Sequence, residues 1–214
     1  MINIYFDDYY ALRDKTDKKT AEVTAYYADD IICRAGCASC CIPISLLPVE
    51  FHAIKKELEN QNQPPGFSKK FPDSRDRGRM DKPDIKAASP EAGTLEPEPE
   101  KCIFLNNGIC SIYSSRPIIC RTQGLPLLYY SDELQNYTIS VCSLNFTGKD
   151  DNFEFDTEYS IDLDRLNSSL YRINKSFLAL NQHYPVSDAP GAAERIPLKT
   201  LFPWFDYWKD MINN

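Results

Sequence analysis

The chain has 214 residues, of which 43% are hydrophobic and 12% aromatic, so it is too apolar for a disordered protein and long enough to form a core. Its 24 Lys and Arg residues are outnumbered by 31 Asp and Glu residues, and this net charge of −7 argues against a nucleic-acid partner, which requires a basic surface. No run approaches the roughly 20 apolar residues that span a bilayer, so we expect no membrane partner either.

The N-terminal segment, residues 1–32, carries aromatic and apolar side chains from Phe6 to Tyr27 at helical spacing. This pattern predicts one or two helices that pack on the core. The first residues are acidic and aromatic, without the cationic and apolar regions of a secretory signal. We therefore expect a cytoplasmic protein, and cytoplasmic thiols stay reduced unless they are catalytic or bind metal.

The first four of the eight cysteines are crowded into residues 33–41, with the spacing Cys33-x3-Cys37-x2-Cys40-Cys41. In a helix, this spacing would place all four sulfur atoms on one face of about two turns. Gly36 weakens the helix, so a loop that wraps around a metal is the alternative. Core packing does not require such crowding, because Leu or Val would fill the same volume.

A helix is expected to begin near Pro48, since proline suits the first helical turn. Residues 61–100 then contain seven of the 15 prolines, few large apolar side chains and no cysteine. Such a stretch cannot bury enough apolar surface to offset the entropy cost of ordering it. We interpret 61–100 as a mobile, Pro-rich insertion within a single cysteine-cluster domain that spans residues 1–214.

Order is expected to return at Lys101. The Asn-Gly pair supports a hairpin because it supplies the positive φ of a tight turn, and an amphipathic stripe at spacings of three and four supports a long helix. The expected elements are the hairpin at 102–112, a turn at 114–117, strands at 125–130 and 137–142, a helix at 161–182 and a docked, short C-terminal helix within 196–211. Together they predict a small, mainly helical α+β domain, stabilised by metal, with short β-hairpins around a cysteine cluster.

The remaining cysteines follow at wider spacings, and disulfides explain the set poorly. Vicinal cysteines such as Cys40 and Cys41 bridge only with strain, and the expected compartment is reducing. Metal binding is therefore preferred to a thiol redox pair or to incidental buried cysteines. The predicted metal ligands are Cys33, Cys37, Cys40, Cys41, Cys102, Cys110, Cys120 and Cys142.

The ligand set is almost entirely thiolate, because His52 and His183 are the only histidines and both are expected to be packing or helix-end residues. Thiolate ligands suit an iron–sulfur cluster or a four-cysteine zinc site, and both leave a net charge near −2. Arg116 and Arg121 flank Cys120 and are candidates to offset this charge and donate hydrogen bonds to sulfur. Ordinary ion pairs with Asp or Glu are the alternative for both arginines.

Two stretches, residues 37–41 (CASCC) and residues 102–121 (CIFLNNGICSIYSSRPIICR), resemble the YkgJ-type cysteine-cluster family. That family is described as chelating zinc or iron through a CxxCxxCC signature. The resemblance covers roughly 30–142 outside the insertion, with Cys142 matched by position only. A related branch is the flagellin lysine N-methylase, in which an iron–sulfur cluster is implicated in methyl transfer. The resemblance therefore favours iron–sulfur over zinc, whereas the absence of a glycine-rich nucleotide loop argues against carrying over the methylase activity.

Three functions are compatible with these observations. The first is a metal-binding protein with a cysteine-ligated centre, preferably an iron–sulfur cluster, in redox or group-transfer chemistry with an unidentified redox or protein partner. The second is a zinc-stabilised interaction module without catalysis. The third is an enzyme similar to a protein lysine methylase, which would require S-adenosylmethionine binding.

Overall fold

The computed structural model describes residues 6–60, 100–150, 152–181 and 195–201. The prediction of an insertion at 61–100, apart from Glu100, lies outside these residues, as do His183 and the aromatic part of the tail after Leu201. None of the helices in the described ranges has both the length and the hydrophobicity needed to cross a membrane. The elements in chain order are α1 (Asp7–Tyr26), β1 (Ser45–Leu46), α2 (Pro48–Asn60), β2 (Leu105–Asn106), β3 (Ile109–Cys110), α3 (Ile118–Thr122), β4 (Leu127–Ser131), β5 (Asn136–Ser140), β6 (Ile161–Asp162), α4 (Leu163–Leu180) and β7 (Ile196–Pro197).

Helix α1 runs without a break through the polar stretch in its middle. Two buried threonines lie in this stretch, and their hydroxyls donate to carbonyls one turn earlier, so that no buried hydroxyl is left unpaired there. Thr16 Oγ1 donates to Leu12 O at 2.9 Å, and Thr20 Oγ1 donates to Asp17 O at 3.0 Å. The N-terminal segment is therefore one helix, and the possibility of two helices was wrong.

Helix α4 matches the predicted amphipathic helix and begins at a side-chain cap. Asp162 precedes it, and its carboxylate accepts from the backbone N–H of Arg165 at 2.9 Å, which satisfies one of the unpaired donors of the first turn. Leu170 and Phe177 are buried as predicted. Leu180 was also expected in the buried stripe, but it is 62% exposed, so the buried stripe ends at Phe177.

Helices α1, α2 and α4 enclose the main hydrophobic cluster. Phe177 lies in it with its ring 5.6 Å from that of Phe6 and 5.9 Å from that of His52. His52 is therefore a packing residue of α2, as expected. Each such buried apolar side chain contributes about 1.5–3 kcal/mol of transfer free energy. The buried members are Phe6, Tyr9, Leu47, Val49, Ala53, Ile118, Leu170 and Phe177.

Small sheets complete the α+β fold. Strands β2 and β3 form the predicted hairpin, in which Asn107 and Gly108 have φ values of 49° and 76°, as a tight two-residue turn requires. Strands β4 and β5 pair antiparallel, and β6 adds to β4 in parallel. Strand β4 begins two residues later than predicted, since Pro126 has no N–H to donate to a sheet. Its carbonyl accepts from Ile161 N instead.

The C-terminal part of the described chain closes a second hydrophobic cluster. Strand β7 pairs antiparallel with β1, and a 3₁₀ turn, Leu198–Leu201, follows it. The predicted short helix in 196–211 is therefore a strand and a turn over its described part. Cys102 and Cys110 pack against this cluster, so it supports the region of the cysteines. Its buried members are Leu46, Phe51, Ile54, Phe104, Ile112, Leu198 and Leu201.

Candidate metal centre

The first cysteine segment, residues 33–41, is a loop of two tight turns rather than a helix. Cys37 N donates to Arg34 O, and Cys41 N donates to Ala38 O, both at 3.0 Å. Gly36 lies within the first of these turns and has a φ of 93°, a backbone conformation that residues with a side chain rarely adopt. The helical interpretation of this segment was therefore wrong, and the loop alternative is correct.

This loop packs directly on the β2–β3 hairpin. Cys102 N donates to Cys41 O at 2.9 Å, which joins the end of the loop to the start of the hairpin. At the hairpin turn, a Cβ added to Gly108 would lie 3.3 Å from Gly36 Cα, so the two backbones are in close contact. The fold thus brings together the two cysteine motifs, which are far apart in the sequence.

A third segment, α3, carries Cys120, and a buried carboxyl group positions the start of this helix. Glu50 in α2 is 3% exposed and accepts from Ile118 N at 3.1 Å and from Leu47 N. It therefore pairs backbone donors at the starts of both α2 and α3, where such donors lack partners within the helix. Burial raises the pKa of Glu50 to about 7 despite these hydrogen bonds.

Four thiols from these three segments form what we call the inner set, namely Cys41, Cys102, Cys110 and Cys120. Burial is the main reason that the pKa of Cys120 is raised to about 12, and the neighbouring thiols of Cys110, Cys102 and Cys41 raise it further. Burial, together with Cys110 and Cys102, also raises the pKa of Cys41. Burial and Cys102 raise the pKa of Cys110. Each thiol thus disfavours the ionisation of its neighbours, a cost that a bound cation would remove.

Three further thiols, Cys33, Cys37 and Cys40, form what we call the outer set. Cys33 and Cys40 are exposed, and Cys37 is half-buried. Burial raises the pKa of Cys40, as do the thiols of Cys41, Cys33 and Cys37. Cys40 and Cys41 are consecutive in the chain, so the outer set adjoins the inner set at this position.

Asn145, a residue not predicted from the sequence, fixes the start of the outer set. Its Oδ1 accepts from Ile32 N at 3.0 Å, while its Nδ2 lies 3.4 Å from Cys33 Sγ and donates to Gly124 O at 2.6 Å. The side chain is 3% exposed, so these bonds are shielded from water. A single asparagine in a loop has no motif of its own, and its position three residues after Cys142 is the only sequence signal.

Cys142, the last predicted ligand, is connected to this region through the backbone. Its carbonyl accepts from Asn145 N at 2.9 Å, and its side chain is half-buried. Cys142 is thus connected to Asn145, whose Nδ2 lies 3.4 Å from Cys33 Sγ, and the assignment of all eight cysteines as metal ligands stays a prediction.

The two arginines predicted to lie beside the thiols have different surroundings. Arg121 binds Asp17 in α1 at 2.6 Å and 2.8 Å and donates to the carbonyls of Ser114 and Arg116. It therefore takes the alternative of an ordinary ion pair and ties α3 to α1. The guanidinium of Arg121, which was predicted to lie beside the thiols, is therefore directed to Asp17 and to two backbone carbonyls instead.

Arg116, by contrast, lies close to the inner set. Its guanidinium is 4.1 Å from the ring centroid of Tyr113, and its positive charge lowers the pKa of both Cys110 and Cys120. Its Nε is buried and has no hydrogen-bond partner among the described residues. A buried donor of this kind suits an anionic centre, because a thiolate or sulfide would accept its hydrogen bond.

All eight cysteines are free thiols, so the disulfide alternative does not apply in this structure. Over the described ranges, no three or more His, Cys, Asp or Glu side chains are arranged closely enough to hold a metal ion as they stand. The chemistry of the site nevertheless fits a thiolate-bound metal, given the crowded thiols and the unpaired Arg116 Nε. Metal binding would therefore require the thiol groups to move closer together than they lie in this structure.

Comparison with known families identifies the chain. Residues 32–143, more than half of its length, match the family model CxxCxxCC, described as "Putative zinc- or iron-chelating domain". The chain belongs to this family. The match to the CxxCxxCC domain includes all eight cysteines and confirms the suspected cysteine-cluster family. It supports metal binding by the cysteines, with zinc and iron as the two metals of the family's description. No curated protein and no solved structure matches the chain.

Proposed function

We propose that this CxxCxxCC domain holds an iron–sulfur cluster on Cys41, Cys102, Cys110 and Cys120 and uses it in redox or group-transfer chemistry. The observation that carries the proposal is that a loop, a hairpin and a short helix each bring cysteines to one region, where Cys102 N donates to Cys41 O at 2.9 Å and where the thiols of Cys110, Cys102 and Cys41 raise the pKa of Cys120. Four thiolates are the usual ligand set of such a cluster. The partner in this chemistry and the cytoplasmic location stay predictions from the sequence.

Two considerations favour iron–sulfur over zinc. A structural zinc site uses four ligands and is closed, whereas the outer set, in which Cys33 and Cys40 are exposed, adds three thiols beside the inner four. The resemblance to the branch that includes the flagellin lysine N-methylase points in the same direction. The alternative, a zinc-stabilised interaction module, would need only the inner set.

The chain's own residues would shield and tune the centre. When bound, the cluster would supply electron transfer or an electron source for group transfer. Half-burial of the inner cysteines would limit access of water, and Arg116 would offset part of the negative charge near Cys110 and Cys120. A nearby positive charge and a hydrogen bond to sulfur both favour the reduced, more negative state of a cluster.

Elemental analysis tests this proposal. The full chain is purified without oxygen, and iron, zinc and acid-labile sulfide are measured on the same sample. We expect a brown protein with iron and sulfide in equal amounts, which dithionite bleaches. A colourless protein with stoichiometric zinc and no sulfide would instead support the interaction module.

The variant Arg116→Gln, purified in the same way, provides a second test, in which the metal content and the reduction potential are measured. We expect the variant to retain its iron and sulfide, because Arg116 is not a ligand. Its reduction potential should become more negative, since a positive charge beside Cys110 and Cys120 is lost. An unchanged potential would contradict the assigned role of Arg116.

A further inference from the structure

Two exposed apolar regions of this molecule carry charges of opposite sign. The first lies over the cysteine motifs, and we call it the basic patch. Its exposed members are Arg34, Ile42, Lys101, Ile103 and Ile109. The second is the turn between β4 and β5 with the tyrosines on either side of it, and we call it the acidic tip. Its exposed members are Tyr130, Asp132, Glu133, Leu134 and Tyr137.

Backbone contacts bring the isoleucines of the basic patch together. Ile42 and Ile103 each follow one of the two cysteines whose backbones are joined by a hydrogen bond of 2.9 Å. Ile109 follows Gly108, which contacts the cysteine loop at Gly36. The three isoleucines are 41–47% exposed. Apolar side chains grouped at a protein surface in this way are typical of a site that another molecule covers.

The positive charge of the basic patch stands out in an acidic chain. None of the 31 Asp and Glu residues lies in residues 31–49 or 101–121, which contain seven of the eight cysteines. Arg34 and Lys101 are exposed, and neither forms an ion pair with any of the described residues. Glu100, next to Lys101, offsets one of these two charges. The patch thus stays net positive, although the whole chain has a net charge of −7.

The acidic tip combines apolar side chains with negative charge. Asp132 and Glu133 are the only charged residues in the stretch 122–148. Within the described part of the chain, neither carboxylate takes part in an ion pair. Leu134 and Tyr137 beside them are each 64% exposed. The tip therefore complements the basic patch in both charge and polarity.

The acidic tip lies at the end of a projecting hairpin. The base of this hairpin lies beside Cys33, because Asn145 Nδ2 is 3.4 Å from its sulfur and a Cβ added to Gly124 would be 2.7 Å from it. The tip is at the opposite end of strands of five residues, about 13 Å farther out. Strand β6 pairs only with Leu127 and Leu128, so the outer part of the hairpin extends beyond the sheet. The tip thus lies away from the cysteine loop of its own chain and is available to a second copy.

We propose that the acidic tip of one copy docks on the basic patch of a second copy, and that reciprocal exchange of the two contacts forms a symmetric dimer. A two-fold dimer of this kind is closed and uses both regions of both molecules. The opposite charges orient the two copies, while the isoleucines, Leu134 and the tyrosines form the apolar centre of each contact. A membrane fits the basic patch less well, because the backbone polar groups of the cysteine loop would lose their water there. The inference goes beyond the proposed function and applies to either metal.

Paired charge reversal tests this contact. Sedimentation velocity of the full chain, purified without oxygen and measured over a series of concentrations, gives the dissociation constant of the dimer. The patch variant Arg34→Glu with Lys101→Glu and the tip variant Asp132→Lys with Glu133→Lys should each raise this constant about tenfold or more. An equimolar mixture of the two variants should dimerise as the wild type does, because one contact then has its original charges and the other has both charges reversed.

A matched pair of variants tests the apolar part of the contact. Leu134→Glu should weaken the dimer as strongly as charge reversal does. Leu180→Glu is the control, because Leu180 is similarly exposed, at 62%, but lies at the end of α4 outside both regions. Metal content is measured in every sample, because an anionic centre would reduce the positive charge of the basic patch. The tip variants are remote from the cysteines and keep the test decisive if a patch variant loses metal.

Three results would overturn the inference. A wild-type chain that is monomeric at every concentration would leave the basic patch to a different partner protein. A dimer that the tip variants do not weaken, or that Leu180→Glu weakens equally, would form through another surface. Two charge-reversed variants that stay monomeric when mixed would show that the patch and the tip do not meet. Failure of the proposed function would be visible separately, as a protein without iron and sulfide whatever its oligomeric state.

Discussion

The helical scaffold and the cysteine face of this molecule are stabilised by different means. In the scaffold of α1, α2 and α4, residues such as Tyr9, Val49 and Ala53 are fully buried. On the cysteine face, formed by residues 33–41 and 102–120, the large side chains next to the cysteines point outward. Five isoleucines within these segments or directly next to them, each adjacent to a cysteine in the sequence, are 41–54% exposed, namely Ile32, Ile42, Ile103, Ile109 and Ile119.

This difference indicates where the free energy of folding comes from in each region. Burial of apolar surface stabilises the scaffold, at about 25 cal/mol per Å². The cysteine face buries Phe104, Ile112 and Ile118, but it leaves the five isoleucines next to its cysteines exposed and crowds thiols that resist ionisation, so burial of apolar surface stabilises it less. Metal binding would supply further stability, because the free energy of binding to a site formed only in the folded state is also free energy of folding.

Loss of one inner ligand should have the largest effect. Cys120→Ser is expected to release most of the bound metal and to destabilise the protein by about 5 kcal/mol or more, which corresponds to roughly 10–20 °C in melting temperature. Metal analysis and thermal unfolding of the same sample test this. Gly148→Ala, where an added Cβ meets no atom within 4 Å, is the control and should change both quantities little.

The opposite behaviour is expected for the scaffold. Phe177→Ala removes a ring that stacks with Phe6 and His52, and such a cavity costs about 3–5 kcal/mol. At a temperature where the variant is folded, its metal content should equal that of the wild type. A loss of metal in proportion to the loss of stability would show that the two regions unfold as one unit.

The scaffold is largely predictable from the sequence because its signals are local. The spacing of apolar residues identifies α2 and α4, and the Asn107–Gly108 pair identifies the hairpin. Asp162 and Pro48 mark the helix starts for stereochemical reasons that act within one turn.

The cysteine face is predictable in composition but not in arrangement. The cysteines indicate metal, yet their grouping depends on contacts such as Cys102 N to Cys41 O, which join distant parts of the chain. The ion pair of Arg121 with Asp17 and the bonds of Asn145 to Ile32 and Gly124 likewise have no local signal. Gly36 in the first cysteine segment was the one local indication that a loop would form there.

Glu50 links the two regions and should make stability depend on pH. Its folded pKa of about 7 lies above its ordinary value of 4.5. The folded state therefore holds the proton more tightly, and the stability present below about pH 4.5 is lost as the pH rises through 7. The difference amounts to about 3 kcal/mol at most. Arg195 lowers this pKa, and buried Tyr9 is the neighbouring titratable group.

Glu50→Gln should remove this dependence, because the amide stays neutral and still accepts from Ile118 N. Urea unfolding at pH 5 and pH 8, at equal metal loading, is the measurement. The variant is expected to match the wild type at pH 5 and to exceed it at pH 8. Equal stability of the two proteins at both pH values would mean that Glu50 titrates near its ordinary pKa.

The smallest effect is expected at the contact between the hairpin and the cysteine loop. Gly108→Ala places a side chain at a φ of 76° and brings its Cβ to 3.3 Å from Gly36 Cα, which should cost about 1–2 kcal/mol. Gly148→Ala is the control, since a Cβ there meets no atom within 4 Å. If the cysteine face depends on metal for its fold, the penalty of Gly108→Ala should be present in the metal-loaded protein and absent after chelation. An equal penalty in both forms would mean that the loop rests on the hairpin without metal, and the stability of this face would then have to come from the protein contacts alone.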